Sequence, residues 1–243
     1  MRYLSNIRNL LDHIEKNEMS IIHQIASACA DTIEKDGLLY FFGTGHSHMV
    51  CEEPFYRAGG FANIYPILEK TLMLHEGASE SSICERQPEI GARLIENSGI
   101  SDKDVVFIIS NSGRNAACIE AAIAAKSKGA TTVAITSLNH SKRVSSRHSS
   151  GKKLYEICDF VLDNGGTYGD ACIHLEGMEP GAMISPTSSV IDITMLNMVM
   201  TETAEILLSR GVSLTVFTSA NAEGGDDKNA EIIAKFKPRV PIL

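Results

Sequence analysis

Two serines, two asparagines and a glycine crowd one junction of the chain. Ser110, Asn111, Ser112, Gly113, Arg114 and Asn115 close an apolar run that begins at Val105, and a helical pattern follows at once. Short hydroxyl and amide side chains at such a place can aim several donors at one cluster of oxygens, and Gly113 lets the backbone come close. The start of a helix adds unpaired N–H groups and about +0.5 of an elementary charge. The chemistry this serves is phosphate binding. A helix entered by a tight turn uses the same residue types for backbone reasons alone. A second junction favours the cradle: Gly43-Thr44-Gly45-His46-Ser47 also ends an apolar run, 38–42, and precedes a helix. The G-x-G of that turn is not a dinucleotide fingerprint, because His48 stands where the third glycine belongs, and no G-x-x-x-x-G-K-[ST] occurs.

The elements that must position these turns alternate. The apolar run 38–42 suits a central parallel strand. Further strands are expected at 63–68, 104–110, 131–136 and 159–162, with helices at 88–96 and 115–128 between them. Alternation of this kind gives a parallel sheet covered on both faces, with ligands at the carboxyl ends of the strands, and a flavodoxin-like order is expected. Residues 1–36 read as a helical arm broken near Asn17. A helix from Thr187 to Ser209 is apolar almost all round, which calls for burial on most faces and for a subunit interface. One more strand is expected at 213–218, then an acidic turn with Asp226 and Asp227 that lacks the spacing of a calcium loop.

The 243 residues carry a net charge of -8, so non-specific contact with nucleic acid or an anionic membrane is disfavoured and any phosphate site must be local. The segment 139–153 holds Lys142, Arg143, Arg147, Lys152 and Lys153, and reads either as a solvated loop or as a basic rim for an anion. Residues 163–186 form a long Gly- and Pro-containing segment, a candidate lid or binding loop. Six separated cysteines without a C-x-x-C pair, no secretory leader and no run of 18 apolar residues fit a reduced, cytoplasmic setting.

"FFGTGHSHM", then "SNSGRN", "VAITS" and a Thr/Ser-started apolar helix together resemble the sugar isomerase (SIS) phosphosugar-binding domain over roughly residues 37–210. With its N-terminal arm and the 211–243 extension, the whole chain is similar to the UPF0309 group of bacterial SIS proteins. The resemblance implies an α/β fold, a three-layer αβα sandwich on a five-stranded parallel sheet, assembled as a homodimer or homotetramer. It implies a small-molecule sugar phosphate as ligand, with no metal and no cofactor. It maps phosphate binding onto Ser110 and Ser112, with Gly45, His46 and Ser47 in the first turn near the sugar. Asn111, Gly113 and Asn115 complete the second turn; Asn115 replaces the Ser or Thr of many relatives, and Ser188 or Ser189 is expected to close the site.

Aldose–ketose isomerisation needs a base that moves a proton between C1 and C2, and an acid near O5 if a ring must open. Candidate bases are Glu52, Glu53, Glu76 and Glu80, with Glu76 favoured because "LMLHEGASE" reads as a loop after the second strand. Candidate acids are His46, His48, His75 and His174. Phosphoheptose isomerases carry a histidine in the final helix, which 187–210 lacks; this weakens a heptose assignment. The enzyme reading extends to a near relative that cleaves an amino or ether group from a hexose 6-phosphate; the alternative to an enzyme is a phosphosugar sensor, and the brevity of the segment before the first strand disfavours an attached helix-turn-helix domain.

Overall fold

A computed structural model describes residues 1–243. Five strands, β1 (Leu39–Gly43), β2 (Ile64–Ile67), β3 (Val105–Ile109), β4 (Thr131–Thr136) and β5 (Phe160–Asp163), make one all-parallel sheet in the order β2-β1-β3-β4-β5. The central strands LYFFG and VVFII are buried at every position. Continuous apolar sequence is what a strand covered on both faces demands. Phe41 lies opposite Phe107 in register and their rings stack with centroids 4.7 Å apart.

Alternation along β1 sends Leu39 and Phe41 to one core and Leu38, Tyr40 and Phe42 to the other. The first core is closed by α1 (Arg2–Asn17), α2 (Met19–Glu34), α3 (Ser47–Glu52) and α8 (Ser188–Ser209), through residues such as Ile14, Ile25, Val50 and Leu196. The helical arm thus packs on its own sheet. The second core is closed by α5 (Pro88–Asn97), α6 (Ala116–Ser127) and α9 (Gly225–Phe236). Layer α5 sits so close to α6 that a Cβ on Gly91 would overlap the carbonyl oxygen of Ala117, which makes that glycine necessary for placing the start of α6.

Between the central strands the order reverses: β1 connects to β2 on one side, and β3 leads to β4 and β5 on the other. Chain segments therefore diverge from the carboxyl ends of β1 and β3 and leave a crevice there. The two glycine-containing turns flank it.

Three segments differ from expectation. Leu74–Cys84 is a helix, α4, rather than a loop; Gly77 leaves helical geometry inside it and hides the periodicity. Residues 213–218 form no strand, and Val216 makes a single antiparallel bridge to Phe61 because its partner segment 59–62 is itself irregular. The long segment 163–186 contains a hairpin of β6 (Ala171–Ile173) and β7 (Ile184–Pro186), laid on α1 through Tyr3 and Asn6. A short helix, α7 (Leu138–Ser141), opens the basic segment. No helix is long and apolar enough to cross a membrane.

Candidate functional site

Residues 110–115 form a loop in which only the Ser110 and Gly113 amides are bonded to the protein. The N–H groups of Asn111, Ser112, Arg114 and Asn115 have no acceptor in the protein. Gly113 takes the left-handed conformation, φ +58°, and its N–H closes back onto Ser110, 3.1 Å to the carbonyl and 3.2 Å to Oγ. A left-handed residue following others of ordinary hand curls successive N–H groups into a concavity, the usual geometry of an anion nest. A side chain on Gly113 would be strained and would crowd Ser141 Oγ and Thr136 Oγ1.

The loop is pinned from behind. Thr136 Oγ1 and the Ser137 N–H donate to the Asn111 carbonyl at 3.2 and 3.0 Å. Asn164 Nδ2 donates to Asn111 Oδ1 at 3.1 Å and to Asp192 Oδ1 at 2.7 Å. Asp192 is fully enclosed, and burial pushes its carboxyl up to about 7, with the Asn164 hydrogen bond opposing and the nearby charge of Asp170 adding to the rise. Asn111 is thus half scaffold: its carbonyl oxygens are engaged and only its N–H donors are left for a ligand.

The first turn brings one free hydroxyl, that of Ser47. Gly45 is also left-handed, φ +57°, and Gly43 lies where a Cβ would come within 2.8 Å of the Ser47 carbonyl oxygen. Buried His48 bonds the Gly45 carbonyl oxygen through Nδ1, which holds the turn, while His46 is exposed at the start of α3. The hydroxyls of Ser47 and Ser112 are partly exposed and engaged by no other residue. Beneath both turns lies the Cys118 thiol, within reach of the Thr44 and Ser110 hydroxyls. Burial, reinforced by the charge of Glu85, pushes it up to about 12, so it packs rather than reacts at neutral pH.

Glu85, at the end of α4, is the acidic group that joins the two turns. Its Oε2 accepts 2.8 Å from Thr44 Oγ1, and its carbonyl accepts from the Ala117 N–H in the first turn of α6 at 3.1 Å. Sequence reasoning passed over it. No local signal marks it, because its position follows from α4, which Gly77 disguises, and from the sharp corner before Pro88.

The other expected site residues are distributed differently. Glu76 is about half exposed at the start of α4, 3.9 Å from His75, and His75 stands 5.8 Å from the His48 ring, so it lies at the rim of the first turn. Glu52 is exposed on the face of α3 shared with Met49 and Ile193, on the α8 side of the sheet. His174 belongs to the hairpin and bonds the Ala182 carbonyl at 2.8 Å. Ser188 is already satisfied: Asp170 accepts from its hydroxyl at 2.6 Å and from its N–H at 2.9 Å, so a carboxylate of the chain itself occupies the start of α8. Asn115 Oδ1 accepts 3.0 Å from Arg147, on the basic segment.

Free amides and hydroxyls thus gather at the carboxyl ends of β1 and β3. Residues 2–137 match the SIS domain, and the chain belongs to that family. Within it, the relatives that align over the full length are UPF0309 proteins. One from Geobacillus sp. is 42% identical over 242 residues, 100% of this chain and 97% of its own. Another, from Thermoanaerobacter pseudethanolicus, is 40% identical over 245 residues, 100% of this chain and 99% of its own. Among solved structures, a phosphoheptose isomerase from Neisseria gonorrhoeae superposes with a TM-score of 0.52 at 16% identity, covering 84% of this chain and 95% of its own. At that identity the likeness concerns the fold.

Proposed function

We propose that this protein binds a sugar phosphate in the crevice between the two turns and acts on it as an aldose–ketose isomerase with Glu85 as the base. The observation that carries the reading is the set of free donors: four unpaired amides in the 110–115 loop, together with the unengaged hydroxyls of Ser112 and, in the first turn, Ser47. Donors left without partners in a crevice suit a phosphate that brings three acceptor oxygens. Thr44, in the first turn, donates its hydroxyl to Glu85, which holds that carboxylate beside the turn. General-base transfer of a proton from C2 to C1 through an enediol, with the O2 proton passing to O1, needs a positioned carboxylate and a bound, open-chain sugar. The SIS-domain match over residues 2–137 is consistent with a sugar-phosphate ligand.

A second copy of the chain has a place in this reading. Met19, Ile22, Ile193 and Met198 line an open groove between α2 and α8, the apolar strip that the sequence requires to be covered.

The test is solvent exchange. Incubated with hexose and pentose 5- or 6-phosphates in deuterium oxide, the protein is expected to catalyse loss of the C2 proton signal and appearance of the isomer by NMR. Binding without any exchange on the whole panel would turn the reading from an isomerase to a phosphosugar sensor.

A further inference from the structure

The segment 139–153 does not hang free. It is tied to α6 by His148 Nε2 and Glu120 Oε1, 2.6 Å apart with the imidazole enclosed, and to the phosphate loop by the Leu154 N–H on the Gly113 carbonyl at 2.9 Å. Lys153 Nζ spans the segment internally, 2.7 Å from the Ser141 carbonyl. These ties set the Arg147 guanidinium at the mouth of the crevice, where its Nη1 donates to Asn115 Oδ1, while its own N–H donates to the Arg114 carbonyl at 2.9 Å. Arg114 reaches Ser145 Oγ at 3.4 Å, and its Nε is buried without a partner.

The charges around this point are unbalanced. Arg57, Arg93, Arg210 and Arg239 each pair with a carboxylate, whereas Arg114 and Arg147, like four other arginines, pair with none; these two are set apart by being tied to each other's segments at the 110–115 loop. Desolvation, then repulsion from Arg114 and Arg86, lowers the pKa of Arg147, and Glu85 alone opposes. In a chain of net charge -8, Arg114 and Arg147 set beside the loop with no carboxylate bonded to either suit an anionic ligand.

We propose that Arg147 is a ligand-binding residue that grips the phosphate of the substrate, exchanging its bond to Asn115 for one to the phosphate, and that the site thereby selects a terminal phosphate monoester in its dianionic form. The inference rests on the phosphosugar reading above. It gives the 139–153 segment a task, that of carrying a charged clamp over the start of α6. It also explains Asn115: a serine or threonine there would offer no carbonyl to hold the guanidinium in place while the site waits.

The experiment is calorimetric titration of glucose 6-phosphate, fructose 6-phosphate and inorganic phosphate into the wild type, Arg147→Gln and Arg147→Lys, at pH 5.5 and 7.5. A phosphate monoester takes its second charge near pH 6. The wild type is expected to bind more tightly at pH 7.5 than at pH 5.5. Arg147→Gln is expected to lose about 10- to 100-fold in affinity at pH 7.5, as for the loss of a charge-assisted hydrogen bond, together with most of the gain with pH. Arg147→Lys should recover part of both, and the melting temperatures of the unliganded variants should match the wild type, since the side chain is exposed. Equal affinity of Arg147→Gln and wild type at both pH values overturns the clamp and leaves the phosphosugar reading standing. Failure of the wild type to bind any of the three overturns both.

Discussion

Glu85→Gln is expected to lower isomerase turnover by about 10²- to 10⁴-fold, the usual worth of a positioned general base, while leaving sugar-phosphate affinity within a few-fold of wild type. The substitution is nearly isosteric. The amide oxygen can still accept from Thr44 Oγ1, and the backbone bond from Ala117 to the residue 85 carbonyl is untouched. What disappears is the group that takes a proton from carbon. Steady-state rates and calorimetric affinity on the same preparation separate the two effects. Glu76→Gln is the natural control, since that carboxylate is half exposed beside His75 at the rim. A large loss in Glu76→Gln with none in Glu85→Gln would move the base to the start of α4 and undo the assignment made here.

Asp192→Asn is expected to stabilise the protein, and to do so increasingly with pH. The carboxyl titrates near 7 in the folded state against an ordinary value of 3.8, so between those values the folded protein binds a proton that the unfolded chain has released. Stability therefore falls as pH rises from about 4 to 7 and is flat beyond it. The full penalty is on the order of 4 kcal/mol, because the group is wholly enclosed and solvent does not screen it. An asparagine escapes that penalty, and its carbonyl can accept from Asn164 Nδ2 as Asp192 does. At pH 8 the melting temperature should rise by roughly 10 °C, and at pH 5 by a smaller amount. An unchanged or lowered melting temperature at pH 8 would mean that the buried charge is compensated by something other than Asn164. The same variant leaves the chain Asp192–Asn164–Asn111 intact, so the phosphate loop should keep its affinity.

Much of this was legible in the residues. The continuous apolar runs of β1 and β3 declared a sheet buried on both faces, and the strand order followed from their alternation with helices. Both turns were visible because serine, asparagine and glycine are grouped there for backbone reasons that also serve an anion. The rest depends on tertiary placement. Glu85 is a glutamate among many in the sequence, and becomes distinctive only when the α4–α5 corner sets it between Thr44 and Ala117. Ser188 looked like a donor at a helix start, and the sequence could not reveal that Asp170, in the distant hairpin, would take that hydroxyl first. The segment 139–153 reads first as a solvated loop, with a basic rim as the alternative; the bonds from His148 to Glu120 and from Arg147 to Asn115 are long-range pairings that periodicity does not encode.

The central claim is that the 110–115 loop and Ser47 form a phosphate cradle. Its most direct test is thermal unfolding of the wild type and Ser112→Ala against hexose and pentose phosphates, each beside its unphosphorylated sugar. A ligand at about 100 times its dissociation constant stabilises by roughly 2.7 kcal/mol, a shift of about 5–10 °C for a chain of this size. The account predicts shifts with phosphorylated sugars alone, and smaller ones in Ser112→Ala. Equal shifts with free sugars, or none with any phosphate, would contradict it.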